Sequence, residues 1–215
     1  MSILLFDLFG VIARKQSEQG CAEIEQAAGV SGAGFWKSYW SLRPPYDRGQ
    51  QTGPEYWHAV AQDLGASFTD QRIADLVAAD VRSWREVDDE MVAFVCDLAE
   101  EGVRLGLLSN IPAELATDYE QRHPWLDVFS VRAFSCRIGC AKPEPGAYAW
   151  CGAAFEAPAS DVLFIDDRTE NVKAAEMAGM RSHLFTSLDT LRVALMQAFS
   201  ADRRRFPSGL AAAAD

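Results

Sequence analysis

The strongest constraint on the fold of this chain is a set of short apolar runs that each end on a polar side chain. Asp7, Ser109 and Asp166 directly follow such runs. A short apolar run bounded by polar or turn residues is typical of a strand that is buried on both faces. We therefore predict strands at Ile3–Phe6, Val103–Leu108 and Val162–Ile165, with a further short strand at Val131–Phe134.

Helices are predicted between these strands. One of them carries Met91, Phe94 and Leu98 at helical spacing. Another spans Thr169–Ala178 and stops at Gly179, a usual residue for a helix end. Strands that alternate with helices of this length predict a doubly wound α/β fold, in which helices cover both faces of a parallel sheet.

Residues 14–85 differ from the rest of the chain because they are rich in alanine and aromatic residues. Helical spacing predicts at least two helices there, and the prolines and glycine of Arg43–Gly49 predict a loop. We expect a core domain, a helical cap domain inserted after the first strand, and a flexible tail. Their expected bounds are 1–13 and 86–200 for the core, 14–85 for the cap and 201–215 for the tail.

The charge balance narrows the classes of partner. Twenty Lys and Arg residues against 31 Asp and Glu residues give a net charge of −11, which argues against binding to nucleic acid or to an anionic membrane. No apolar run approaches the ~18–20 residues of a transmembrane helix, and Asp7 interrupts the first apolar run without a basic leader before it. We expect a cytoplasmic protein, monomeric or homodimeric.

Five cysteines, an odd number, fit reduced thiols in such a compartment. Cys136, Cys140 and Cys151 lie near one another in sequence, but no neighbouring histidine completes a set of metal ligands. We therefore do not expect a metal site there.

The three polar residues that follow the strands belong to one rim in such a fold. Ligands of open parallel sheets bind outside the carboxyl ends of the strands. Asp7, Ser109 and Asp166 should therefore converge, with the helical region at 14–85 above them.

The order of these residues resembles the pattern of the haloacid dehalogenase superfamily, most of whose members are phosphatases. The resemblance spans the core, and the helical region resembles the cap that many members insert after their first strand. It implies a Rossmann-like core and hydrolysis of a small phosphorylated molecule. The matching segments are Asp7–Val11, Leu108–Asn110, Lys142–Pro145 and Phe164–Asn171.

Residue types at these positions agree with phosphoryl transfer. Asp7 is the acid at the end of the first strand, so it is the candidate nucleophile for an aspartyl-phosphate intermediate. Asp7 and Asp166 form a hard oxygen site suited to Mg²⁺, with Asp167 as an outer ligand. The resemblance adds the remaining roles: a metal-binding backbone carbonyl at Phe9, phosphoryl contacts from Ser109 and the amide of Asn110, charge compensation by Lys142, and an orienting role for Asn171.

Phe9 departs from the phosphatase pattern, which usually has a second aspartate two residues after the nucleophile as general acid and base. Loss of a general acid typically lowers the rate by a factor of ~10²–10⁴. Hydrolysis of esters whose leaving groups need no proton should therefore be slowed least. Four residues of the helical region are candidates to replace it, although packing or surface roles suit them better. They are Asp47, Arg48, Glu55 and His58.

Two alternatives remain open. An aromatic residue at this position also resembles the 2-haloacid dehalogenases, but those usually have Thr where this chain has Val11 and an uncharged residue where it has Asp166. The second alternative is a catalytically impaired protein that binds or senses a phosphorylated ligand. In either case, the aromatic residues of the helical region are expected mainly to pack its interior, and any that face the rim would favour an apolar or aromatic substrate. They are Phe35, Trp36, Tyr39, Trp40, Tyr46, Tyr56, Trp57 and Trp84.

Overall fold

The computed structural model describes residues 3–201, and within this range five strands form one parallel sheet. The strand order across the sheet is β3-β2-β1-β4-β5, which places the first strand at the centre. This confirms the predicted doubly wound α/β fold. The strands are β1 (Ile3–Phe6), β2 (Arg104–Ser109), β3 (Phe129–Phe134), β4 (Val162–Asp166) and β5 (Arg181–Leu184).

Helices cover both faces of the sheet. Leu4 and Phe6 of β1 pack into one helical layer, whereas Ile3 and Leu5 pack into the other, because successive strand side chains point to opposite faces. Burial on both faces explains why these strands are nearly all apolar. The helices are α1 (Glu18–Ala28), α2 (Ala33–Asp47), α3 (Gly53–Asp63), α4 (Asp70–Ser83), α5 (Asp89–Glu100), α6 (Ala113–Arg122), α7 (Ser135–Ile138), α8 (Pro145–Phe155), α9 (Thr169–Met177) and α10 (Leu188–Ala201).

Helices α1–α4 lie between β1 and α5 and share a buried cluster of their own. We call residues 14–85 the helical insertion. The chain enters and leaves it side by side, because Ala13 pairs with Val87 and the Arg14 N–H donates to the Glu86 carbonyl. The expected division into a core domain and a cap domain, with the bounds given above, stays a proposal.

One prediction inside the insertion is wrong. Most of the expected loop at Arg43–Gly49 belongs to α2, which continues through Pro44 and Pro45 to Asp47. Proline removes a helical hydrogen bond, but the Arg43 side chain replaces that support by pairing with Asp47 at 2.8 Å. Packing of this last turn therefore outweighs the local proline signal.

The C-terminal part adds two elements that the sequence patterns do not predict. β5 forms one edge of the sheet, and α10 packs Leu188, Leu191 and Leu195 onto the core. The predicted tail, with its run at Arg203–Arg205, lies outside the described residues beyond Ala201. Within residues 3–201, no helix is both long enough and apolar enough to span a membrane.

Candidate active site

Two neighbouring strands bring an acidic pair to a buried lysine. Asp7 directly follows β1, and Asp166 is the last residue of β4, which pairs with β1. Lys142 Nζ lies 2.6 Å from Asp7 Oδ1 and 2.7 Å from Asp166 Oδ2. All three side chains are buried, so the lysine compensates charges that water does not reach.

Burial shapes the protonation of this group. Burial raises the pKa of Asp7 above its ordinary value; Lys142 opposes that shift, and Asp166 adds to it. Burial lowers the pKa of Lys142, but the two carboxylates outweigh it and raise that pKa overall. The two carboxylates thus favour the charged form of Lys142, and further positive charge near Asp7 would favour its carboxylate form.

Asp166 is held by the start of α9. The Arg168 N–H donates to Asp166 Oδ1 at 2.8 Å, and Asn171 Nδ2 lies 3.0 Å from both carboxylate oxygens. Asn171 is one helical turn into α9, so the helix fixes the direction of the carboxylate. Asn171 was expected to orient Lys142 or the acidic pair; this role stays a prediction, and the contacts of its side chain are with Asp166.

Asp167 faces the turn that follows β1. A Cβ at Gly10, where φ is +91°, would lie 2.5 Å from Asp167 Oδ2, so the turn needs glycine both for its conformation and for the close approach. Lys15 Nζ lies 2.5 Å from the same oxygen. Lys15 was not among the site residues predicted from the sequence, although a basic residue shortly after the Gly10 turn was a readable signal.

The three aspartates fit a divalent cation. Asp7, Asp166 and Asp167 each offer a carboxylate oxygen, and these atoms lie within 4.8 Å of one another. Asp167 Oδ1 is buried without a hydrogen-bond partner among residues 3–201, which is costly unless a ligand satisfies it. Three carboxylates face two ammonium groups, those of Lys142 and Lys15. Hard oxygen donors of this kind suit Mg²⁺.

Ser109 is the last residue of β2, on the other side of β1 from β4, and Asn110 follows it. Ser109 Oγ is buried and has no partner within the described part of the chain, so it is available to donate to a ligand. Asn110 Nδ2 donates to the Lys142 carbonyl and Asn110 Oδ1 accepts from the Lys142 N–H, each at 2.8 Å. The Asn110 side chain thus holds the backbone of Lys142 in place, a role that the sequence patterns did not indicate.

The Phe9 ring packs between the helical insertion and α6. Its centroid lies 4.9 Å from that of Trp84 and 5.6 Å from that of Tyr119. The Tyr119 hydroxyl donates to the Trp84 carbonyl at 2.5 Å. Phe9 therefore occupies the expected acid position with an aromatic contact, and its carbonyl as a metal ligand stays a prediction.

None of the candidate replacement acids forms a hydrogen bond or ion pair with the three aspartates in the described structure. Asp47 pairs with Arg43, and burial raises the pKa of Asp47. Arg48 pairs with Glu144, Glu55 caps α3, and His58 is exposed. These contacts and the exposure of His58 fit the packing and surface roles expected for these residues.

Comparison with known proteins adds the context of a family. A family model described as haloacid dehalogenase-like hydrolase matches residues 1–179. The sesquiterpene phosphatase astK of Aspergillus oryzae is 27% identical over 149 residues, which cover 67% of this chain and 73% of that protein.

Solved structures share the fold at low identity. A protein described as a predicted HAD-like family hydrolase from Porphyromonas gingivalis superposes with a TM-score of 0.75 at 21% identity, over 95% of this chain and 99% of that one. The HAD family enzyme bt-2542 from Bacteroides thetaiotaomicron, solved with magnesium and inorganic phosphate, superposes with a TM-score of 0.70 at 20% identity, over 89% of this chain and 98% of that one.

Proposed function

The chain belongs to the haloacid dehalogenase-like hydrolase family, and from this premise we propose that it is a Mg²⁺-dependent phosphatase of small phosphate monoesters. The observation that carries the proposal is the buried group in which Lys142 bridges Asp7 and Asp166. An acidic pair in this position repels an anionic substrate unless cations compensate it. Phosphoryl transfer depends mainly on such positioning and charge compensation.

Asp7 acts as the nucleophile in this proposal. Its carboxylate attacks phosphorus, the bond to the leaving oxygen breaks, and water then hydrolyses the aspartyl-phosphate. Ser109 Oγ and the Asn110 N–H donate hydrogen bonds to the phosphoryl oxygens, and Lys142 offsets their charge. The similarity to a protein named as a phosphatase supports this chemistry.

The metal site consists of Asp7, Asp166 and Asp167 together with the Phe9 carbonyl. A bound Mg²⁺ would neutralise charge between the carboxylate and the phosphoryl group. Asn171 holds Asp166 in place for this site. Lys15, which is exposed and paired with Asp167, is free to move when a cation arrives.

The helical insertion serves as a cap over the rim. Its turn between α2 and α3 contacts the core, because Arg48 pairs with Glu144 and the Asp47 carbonyl accepts a hydrogen bond from Ser135 Oγ at 2.5 Å. In this proposal, substrate reaches Asp7 between the insertion and the carboxyl ends of the strands. The phosphorylated substrate is a small molecule.

Phe9 limits the leaving groups that this site handles well. It has no proton to give, and Asp47, Arg48 and Glu55 are engaged elsewhere. Esters whose leaving group departs without protonation should therefore react fastest.

Phosphate release from p-nitrophenyl phosphate tests the proposal, because p-nitrophenolate needs no acid. We expect turnover with Mg²⁺, and its loss in EDTA and in Asp7→Asn. Asp161→Asn is the matched control. This exposed residue lies directly before the amino end of β4, whereas Asp166 is at its carboxyl end, so its replacement should leave turnover intact. Absence of turnover in folded protein with Mg²⁺ would contradict the proposal. Halide release from a 2-haloacid, or stable phosphate binding without turnover, would then support the respective alternative.

A further inference from the structure

A line of aromatic rings leads from the candidate active site to the surface of the helical insertion. The Phe9 and Trp84 ring centroids are 4.9 Å apart, and those of Trp84 and Trp40 are 6.2 Å apart. Phe9 is partly exposed, Trp84 is nearly covered, and Trp40 is 50% exposed. We call these three residues the aromatic strip. It begins two residues after Asp7 and ends in solvent.

Trp40 differs from other exposed apolar side chains in its connection to the site. A single exposed apolar residue carries no functional meaning by itself. Among the large exposed apolar residues of the described chain, Trp40 alone joins a residue beside Asp7 through successive ring contacts. The others are Trp150, Met177, Leu184 and Val193.

Two residues of the strip, Phe9 and Trp84, present carbon rather than free hydrogen-bonding groups. The Trp84 indole N–H is directed at the Tyr39 hydroxyl, 3.4 Å away. Phe9 has no polar side-chain atom. A leaving group with many hydroxyls would thus lose hydrogen bonds to water without replacement here, whereas a hydrocarbon would gain from leaving water.

We propose that the aromatic strip binds the hydrocarbon part of the substrate, which is a monophosphate ester of a phenol with a long apolar body, because a phenolate leaves without a proton. This inference rests on the proposed phosphatase function and names the substrate class of the same site. Phe9 contacts the carbons next to the phosphoryl group, and Trp40 contacts the distal end. Trp40 is thereby a specificity-determining residue outside the phosphoryl-transfer machinery.

Binding of n-alkylphosphonates with Mg²⁺, measured by calorimetry from methyl- to decylphosphonate, tests the inference without any leaving-group chemistry. We expect affinity to rise up to about fourfold per methylene, the gain for a methylene that is fully buried, until the strip is covered. Binding of methylphosphonate with no gain along the series would overturn the inference alone. No Mg²⁺-dependent binding of any phosphonate would contradict the proposed function and overturn the inference with it.

Two tryptophan variants locate the subsite. Trp40→Ala should lower the ratio of decyl- to methylphosphonate affinity about tenfold, consistent with a few methylenes returned to water, and Trp40→Phe should restore part of it. Trp150→Ala is the matched control, because Trp150 is 40% exposed on α8 and the ratio should not change. An unchanged ratio in Trp40→Ala, or an equal fall in Trp150→Ala, would overturn the assignment to the strip.

Discussion

Phe9 has two consequences under the proposed function, because it leaves the expected acid position without a carboxyl group and its ring contacts Trp84 and Tyr119. The ring contacts stabilise the junction of the insertion with α6. In the proposed mechanism, the missing carboxyl group would slow the departure of alkoxide leaving groups. Catalysis and packing therefore make opposite demands on this position.

Replacement of Phe9 by Asp should separate these demands. We expect kcat/KM for an alkyl phosphate to rise at least about tenfold relative to an aryl phosphate, because a general acid contributes up to ~10²–10⁴. Stability should fall by about 1–3 kcal/mol from lost packing. Phe9→Leu is the control, which loses the ring without gaining an acid. Equal changes for both substrates would argue against the acid deficit.

Lys142 supplies the buried positive charge on which the proposed site depends. Lys142→Met leaves Asp7 and Asp166 buried without their shared cation, so we expect the free energy of unfolding to fall by about 3–5 kcal/mol in EDTA. Mg²⁺ should recover more stability in this variant than in the wild type. Urea titrations with and without Mg²⁺ measure both, and an equal gain in the two proteins would count against a shared site.

At the scale of elements, the turn between α2 and α3 approaches the core closely. Gly49 has φ +69°, and a Cβ there would overlap the Cys136 carbonyl oxygen. Gly65 has φ +63° with no atom within 4 Å of an added Cβ. The pair separates backbone strain from contact with the core.

Alanine at each glycine should therefore cost different amounts. Gly65→Ala should destabilise by about 1–2 kcal/mol, the cost of a left-handed residue with a side chain. Gly49→Ala should cost at least about 1 kcal/mol more because of overpacking. Chemical denaturation compares the two, and equal losses would mean that the turn does not press on the core.

The elements also show which parts of this fold are readable from sequence. β1, β2 and β4 are apolar on both faces, so their runs and their polar ends predict both the sheet and the site. β5 is an edge strand with the polar residues Arg181, Ser182 and His183, so it lacks that signal. Likewise, the prolines of α2 predict a loop where the chain is helical. The hydrogen bonds between Asn110 and the Lys142 backbone depend on loop geometry, which residue spacing does not reveal.

At the scale of the whole molecule, the buried apolar residues form three clusters, and one of these clusters lies entirely within the insertion. If Mg²⁺ binds at the proposed site, it should stabilise the state in which that site is folded. If the insertion opens separately, as its own cluster suggests, hydrogen exchange should show greater protection with Mg²⁺ in β1 and β4 than in α1 and α4. Equal gains in all four elements would indicate a single cooperative unit.

The most direct test of the proposed aspartyl-phosphate mechanism is to look for a phosphoryl group on Asp7. The protein is mixed with p-nitrophenyl phosphate and Mg²⁺, quenched in acid within one turnover, and digested for mass spectrometry. We predict one added phosphoryl group on the peptide that contains Asp7, absent in EDTA and in Asp7→Asn, and lost once the substrate is exhausted. Phosphate release by the folded protein with no such adduct at any quench time would contradict it.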